Sequence, residues 1–241
     1  MNIALVGYGK MGKAIEQIAL ERGHTITAIV NSTHPIESAN FENVDVAIEF
    51  SVPHLALKHI HFFLENNIPC VVGTTGWNAE LNSITKKATD LNSSFLYASN
   101  FSIGVNLFFK LNEQLARLMS NHPSYKINME EIHHIQKLDA PSGTAISLAE
   151  GIIENHENYD NWFCPQAETN NINNNGIAIE ALREPEVPGT HAIHYTSSID
   201  SLTISHQAHN RTGFATGAVV AAEWLLHKKG IFTMRDVLNI K

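Results

Sequence analysis

The first hundred residues alternate short apolar runs with stretches in which apolar side chains recur every three to four positions. Ile3-Ala-Leu-Val6 has the character of a buried strand, and Ala14, Ile15, Ile18 and Ala19 follow at helical spacing. A second strand is predicted over 25–30 and, after an irregular segment, a third over 44–51. Leu55, Leu57, Ile60, Phe63 and Leu64 mark the helix behind the third strand. Residues 69–76 read as a fourth strand ending in a Gly/Thr-rich turn, 80–91 as a helix and 94–98 as a fifth strand. Strands separated by helices of this length predict an α/β fold with a doubly wound parallel sheet of Rossmann type, which binds ligands beyond the carboxyl ends of its strands. Those ends are Phe50-Ser51, Gly73-Thr74-Thr75 and Ser99-Asn100-Phe101, small, polar or aromatic groups suited to ribose, pyrophosphate and nicotinamide.

The pattern changes after Asn100. Leu107, Phe108, Leu111, Leu115 and Leu118 place a helix over 105–119, and residues 125–132 alternate as a strand that delivers His133 and His134 at its end. A helix is predicted over 145–153, and the asparagine-rich stretch 165–176 reads as solvated loop. Residues 177–182, 190–197 and 202–209 follow as strands with no helices between them, which predicts a mixed or mainly antiparallel sheet in a second, α+β domain. The small-residue helix 212–226 can pack very closely and is expected to return to the first domain, with 230–238 as a short terminal element. The division is therefore 1–102 plus 210–241 for a dinucleotide-binding domain and 103–209 for the second.

Bulk properties narrow the class. At 241 residues the chain can bury a proper core, and a net charge of −8 argues against nucleic acid or an anionic membrane as partner. Cys70 and Cys164 have no metal-ligand spacing. With neither an export signal nor an apolar run near the roughly 20 residues that span a bilayer, a cytoplasmic enzyme is expected.

Two motifs carry candidate chemistry. Gly7-Tyr8-Gly9-Lys10-Met11-Gly12 follows the first strand and opens the first helix. Gly7 permits the tight turn, Gly9 admits the backbone to a pyrophosphate and Gly12 lets helix and strand approach. An acidic residue for the ribose hydroxyls is normally found roughly 20 residues beyond such glycines, but here the place is taken by Asn31-Ser-Thr-His34. Asparagine can hydrogen-bond a ribose without repelling a 2′-phosphate, and no arginine is present to clamp one, so tolerance of both NADH and NADPH is expected.

The second motif runs from Glu131 to Ala145, Glu-Ile-His-His-Ile-Gln-Lys-Leu-Asp-Ala-Pro-Ser-Gly-Thr-Ala. Ser142 is placed to cap a helix starting at Gly143, which leaves the N–H groups of Gly143 and Thr144 for a carboxylate or phosphate. Lys137 adds a positive charge, and His133 and His134 can change protonation near neutral pH, so the run suits acid–base chemistry on an anionic substrate. A metal site is not expected. Although His133, His134, Asp139 and Glu131 lie close in sequence, adjacent histidines on an extended chain point to opposite faces. His191, His206 and His209 are lesser candidates for lining a cleft. His59, His61, His122, His156 and His227 fall in ordinary helix or loop settings, and Arg211 reads as structural.

Together with Asn100-Phe-Ser-Ile-Gly-Val-Asn106 and the segment from Arg211 through Phe214-Ala-Thr-Gly-Ala218, these motifs resemble the dihydrodipicolinate (4-hydroxy-tetrahydrodipicolinate) reductases of bacterial lysine biosynthesis over nearly the whole chain. The resemblance implies a Rossmann-like nucleotide domain, a mixed-sheet substrate and oligomerisation domain, a homotetramer, and NAD(P)H-dependent reduction of a cyclic dicarboxylate. It makes His133 the proton donor or acceptor, Lys137 a second proton donor and carboxylate partner, and His134 a substrate contact. Gly143 and Thr144 bind a substrate carboxylate on the same reading. Two alternatives remain: another two-domain NAD(P)-dependent oxidoreductase acting on an amino or keto diacid, and a catalytically silent nucleotide-binding regulator, against which His133 and Lys137 argue. Domain closure is expected, since hydride transfer needs its atoms roughly 3 to 3.5 Å apart.

Overall fold

The computed structural model describes residues 1–167 and 175–240. The chain divides into two units, Met1–Ile103 with Arg211–Lys241, and Gly104–Asn210.

The first unit is built on β1 (Asn2–Val6), α1 (Lys10–Glu21), β2 (Thr25–Val30), β3 (Val46–Glu49), α2 (Pro53–Glu65), β4 (Cys70–Val72), α3 (Leu81–Asp90) and β5 (Ser94–Tyr97). Its six strands run parallel in the order β11-β5-β4-β3-β1-β2, where β11 is Gly230–Phe232. Successive strand residues face opposite sides of the sheet. Ile3, Leu5, Val46, Ile48, Val71 and Leu96 therefore join one apolar layer, and Ala4, Val6, Ala47, Cys70, Val72 and Phe95 the other. Both faces are covered, which is why these strands read as unbroken apolar runs. The covering helices are α1 and α6 (Thr212–Leu225) on the first face, α2 and α3 on the second.

Helix α6 does return to this unit. Its run of glycine and alanine allows contact at backbone distance, since a Cβ at Gly217 would fall 1.7 Å from the carbonyl oxygen of Phe101. β11 pairs in parallel with β5 where the sequence suggests only a short terminal element. Three residues are too few for alternation to register, and the strand exists because an edge was open beside β5. The fold closes with α7 (Met234–Val237).

The second unit contains α4 (Ile103–Met119), β6 (Lys126–His133), α5 (Gly143–Ile153), β7 (Asn161–Phe163), β8 (Gly176–Arg183), β9 (Gly189–Thr196) and β10 (Ser201–Ala208). The sheet order is β10-β9-β6-β8-β7. It is mixed: β6, β8 and β7 run parallel, whereas β9 is antiparallel to both β6 and β10. One face packs Ile127, Met129, Ile177, Ile179, Ile193 and Tyr195 against Phe108 and Ala116 of α4 and Leu148 and Ile152 of α5. Within the stretch expected to be loop, Pro165–Ala167 forms a 3-10 turn and β8 already begins at Gly176. Residues 168–174 of that expectation lie outside the described residues.

Candidate active site

In the first unit the glycine turn lies between the end of β1 and the start of α1. Gly7 has φ +90°, and a Cβ there would sit 2.1 Å from the carbonyl oxygen of Phe50. Glycine is thus required by both the backbone and the neighbouring strand end. A Cβ on Gly12 would meet the carbonyl oxygen of Gly7 at 2.2 Å, so this glycine seats helix against turn. Gly9 differs, because a Cβ there meets nothing within 4 Å. It precedes α1 without any side-chain cap on the helix start. The room beside Gly9 and the outward N–H groups of an uncapped helix start are what a pyrophosphate needs.

A cavity of about 500 Å³ is lined by Gly7, Tyr8, Gly9, Asn31, Phe50 and Ser51 among the expected positions. A smaller one of about 240 Å³ is lined by Met11, Gly73, Thr74 and Thr75 and shares Phe50 and Ser51. Lys10 is exposed at the helix start, Gly12 is buried, Ser99 is exposed and Asn100 half-buried; none of these lines either cavity. Phe101 is also outside both linings and packs against Phe50, with ring centroids 5.4 Å apart and planes tilted by 56°.

Three features of the larger cavity are absent from the sequence reading. The Asn31 side-chain oxygen accepts from the N–H of Thr33 and of His34 (both 2.9 Å) and from the Thr33 hydroxyl (2.8 Å). It is committed to its own turn, leaving the amide nitrogen, a donor, to face a ligand. Lys58 of α2 also lines the cavity and is ion-paired with Glu37. His59, which reads as a bystander, lines it too. Beneath it is a fully buried Glu49, whose carboxylate accepts from the Ser51 hydroxyl and lies 3.3 Å from His59 Nδ1. The missed signal for Lys58 and His59 was their position in the first turns of α2, directly after a strand end already marked as a ligand site.

In the second unit, strand register assembles the site. The alternation that buries Ile127 and Met129 on β6 places Glu131 and His133 on the same face. Across the sheet, Glu131 pairs with His191 on β9 and His133 pairs with Arg183 on β8. His133 and His191 stack edge to face at 5.1 Å. Glu131 is fully buried. Its oxygens lie 3.6 Å from His133 Nδ1, 3.7 Å from His191 Nε2 and 3.5 Å from Arg183 Nη1, and both accept from the Ser142 N–H at 3.1 Å. Burial, reinforced by the Lys137 ammonium and Arg183, pushes His133 down to about 4. Burial and then His133 push His191 down to about 3. Both imidazoles are therefore neutral at pH 7 before any anion binds.

Ser142 caps α5, its hydroxyl accepting from Ala145 N–H at 3.2 Å. Gly143 is exposed, Thr144 is half-buried beside it, and no heavy atom lies within 4 Å of where a Gly143 Cβ would be. The helix start is thus open to an incoming carboxylate. The Lys137 ammonium is held by both oxygens of exposed Asp139, at 2.9 and 2.8 Å. His134 is half-buried, its carbonyl accepting from the Lys137 N–H at 3.0 Å. Of the other histidines, the structure brings His191 to His133, while His206 stacks near Phe108.

His191 and Arg183 are the residues that sequence reasoning undervalued or missed. Period-two alternation held the signal: His191 shares a face with Ile193 and Tyr195, and Arg183 with Ile177, Ile179 and Ala181. Glu131, His133 and His191 also place three metal-type donor atoms within 4.8 Å of one another, a set that lacks His134 and Asp139 of the sequence grouping and adds His191. The Arg183 guanidinium and the Ser142 N–H already engage the carboxylate, and a divalent cation would have to sit against that positive charge.

A parallel doubly wound sheet with a glycine turn at its first strand, joined to a unit carrying a histidine–lysine–helix-start site, defines a two-unit, dinucleotide-dependent oxidoreductase. The chain matches the family descriptions for the N-terminus and the C-terminus of dihydrodipicolinate reductase over residues 1–101 and 104–238, and it belongs to that family. The 4-hydroxy-tetrahydrodipicolinate reductase of Christiangramia forsetii is 49% identical over 242 residues, covering 99% of this chain and 98% of that protein. Among solved structures, the dipicolinate-bound dihydrodipicolinate reductase from Paenisporosarcina sp. TG-14 has the same fold, with a TM-score of 0.75 and 24% identity over 98% of each chain. The amine dehydrogenase of Mycobacterium smegmatis shares the architecture at a TM-score of 0.59 and 9% identity, over 96% of this chain and 94% of that one.

Proposed function

We propose that this protein reduces 4-hydroxy-tetrahydrodipicolinate to tetrahydrodipicolinate, using NADH or NADPH, in the diaminopimelate route to lysine. The observation that carries the reading is the Glu131–Ala145 segment. It presents a buried imidazole, an ammonium group and an open helix start within one unit of a chain whose other unit has a dinucleotide-type cavity. The bound nicotinamide supplies a hydride. Gly9 and the start of α1 hold the pyrophosphate, while Asn31, Ser32 and Lys58 face the adenosine ribose. Phe50, Ser51, Thr74 and Thr75 line the remainder of the path, and we keep Ser99, Asn100 and Phe101 as supports of the nicotinamide end.

On the substrate side, Gly143 and Thr144 receive one carboxylate through their N–H groups, and Lys137 exchanges Asp139 for a carboxylate of the substrate. His134 contacts the substrate beside them. The 4-hydroxyl leaves as water, giving a conjugated ring; hydride addition to its electron-poor carbon leaves an enamine-like anion that needs a proton, and His133 supplies it, with Lys137 as a second donor. A positioned acid contributes roughly 10²- to 10⁴-fold to such a step. The free protein keeps His133 neutral. A dianion beside it favours the imidazolium, so the proton is drawn in when it is needed.

We further propose a cytoplasmic homotetramer assembled through the second unit. Leu107, Leu111 and Leu118 of α4, Leu202 of edge strand β10 and Ile199 beside it are exposed, an apolar surface that self-association would cover. Light scattering tests the assembly. The activity is tested by following loss of reduced-nicotinamide absorbance with enzymatically generated substrate and each cofactor in turn. Turnover with competitive inhibition by 2,6-pyridinedicarboxylate is expected. No turnover with either cofactor would sink the reading and favour a reductase of another amino or keto diacid.

A further inference from the structure

Glu131 is a wholly buried carboxylate with no part in the chemistry described above. A buried charge is costly unless it is matched, and here every group that matches it belongs to the catalytic loop or its supports. The Ser142 N–H reaches both of its oxygens at the point where α5 begins. Arg183 Nη1 lies 3.5 Å away while also donating to the Leu182 carbonyl (2.7 Å), and the guanidinium's other nitrogens donate to the carbonyls of Lys137 (3.3 Å) and Asp139 (2.7 Å), the two ends of the lysine's own ion pair. His191 Nε2 is 3.7 Å from the carboxylate and 3.2 Å from the Ser142 hydroxyl. The Nδ1 of His133, buried and without a hydrogen-bond partner among the described residues, faces the carboxylate at 3.6 Å. The opposite ring atom, Nε2, lies against Gly189, where an added Cβ would be 3.1 Å away. Gly189, lacking a side chain, leaves room for the ring on one side, and the acid faces it on the other.

We propose that Glu131 is a positioning residue: it takes the Nδ1–H of His133, leaving Nε2 as the working atom, and through Ser142 and Arg183 locks that ring to the lysine loop and the helix start. The proposal rests on the reading of the chain as a reductase with His133 as proton donor. Its logic is that of any carboxylate behind a catalytic imidazole, which selects the tautomer and favours the charged ring when it forms. The charged and titratable groups facing His133 are Glu131 on its own strand, His191 on β9, Arg183 on β8, and His134, Lys137 and Asp139 on the loop, with His206 behind His191. Asp139, which favours protonation of His133, is exposed and tied to Lys137, whereas Glu131 is the buried acid that faces the ring at 3.6 Å.

Glu131→Gln is the test. Loss of the carboxylate should lower kcat about 10- to 100-fold, the usual range when an acid orienting a functional histidine is removed, with the KM for cofactor within twofold. The high-pH limb of kcat, where the donor loses its proton, should move to lower pH. Glu131→Asp keeps the charge and should hold that limb in place with a smaller, several-fold loss. Glu131→Gln within twofold of wild type, or both variants losing kcat alike with an unmoved limb, overturns the proposal. Should Glu131→Gln not fold, the unaltered protein still decides: ¹⁵N shifts of the His133 ring, assigned by their absence in His133→Gln, should report a proton on Nδ1 in the neutral form. A proton on Nε2 instead overturns it. Wild-type protein that shows no reductase activity condemns the functional reading, while the ring tautomer continues to judge Glu131.

Discussion

The two units build their candidate sites from different materials. In the first, most ligand-facing groups are backbone N–H, glycine and uncharged side chains in the turns after β1, β2, β3 and β4, with Lys58 and His59 added from α2. In the second, ionisable side chains from β6, β8 and β9 are gathered by strand pairing around one buried carboxylate. The first kind of site is shape with a helix dipole, and tolerates change at its rim. The second is a network in which each charge is justified by its neighbours, so removing one partner strands the others. Substitutions in the first unit should therefore act on cofactor affinity, and those in the second on turnover.

The largest expected break in that comparison is His133→Gln. Turnover should fall at least about hundredfold, from loss of general acid catalysis, while cofactor affinity measured by fluorescence titration stays within twofold. Equal loss of both would mean that the histidine supports the fold instead. Gly9→Ala is the mirror experiment: its Cβ enters open space, so thermal stability should hold while cofactor binding weakens about tenfold, roughly 1.4 kcal/mol. Gly12→Ala, by contrast, should cost about 1–3 kcal/mol of stability through overpacking against Gly7; two glycines of one motif would then be separated into a ligand glycine and a packing glycine.

A smaller effect should come from Lys58→Ala, which should weaken NADPH about two- to fivefold more than NADH, an exposed charge contact being worth at most roughly 1 kcal/mol. Equal affinities for both cofactors in the variant and the wild type would remove Lys58 from the 2′-phosphate. The smallest effect is fractional. His133 sits at about 4 in the free chain, and a bound dianion raises it, so near pH 6 dipicolinate binding should take up protons. The uptake should fade as pH falls through 4, as the ring of the free chain becomes charged. Calorimetry in two buffers of different ionisation enthalpy measures the uptake; none at pH 6 would count against the imidazole facing the anion.

Most of the first unit is legible in the sequence because its cues are local. Buried parallel strands announce themselves as apolar runs, and the glycine turn is contiguous. What escapes is either too short, like β11 and β7, or depends on side-chain commitment, like the Asn31 oxygen spent on its own turn. In the second unit the helix start at Gly143 and its Ser142 cap are legible for the same local reason. The company kept by His133 is not. Alternation along β9 could place His191 inward, but nothing local reveals that residue 191 pairs with residue 131, or 183 with 133; that knowledge resides in sheet order.

The return of the final thirty residues to the first unit has a consequence for how the polypeptide is made. Until α6 and β11 emerge from the ribosome, the layer formed by Ile3, Leu5, Val46, Ile48, Val71 and Leu96 lacks one of its two covering helices, and β5 lacks its outer neighbour. Once residues up to about 210 have emerged, the chain holds a finished second unit and a half-covered sheet with a bare strand edge, a sticky intermediate of the kind that chaperones shield. Emergence of α6 and β11, rather than synthesis of the first hundred residues, is the moment at which the nucleotide-binding half can become whole.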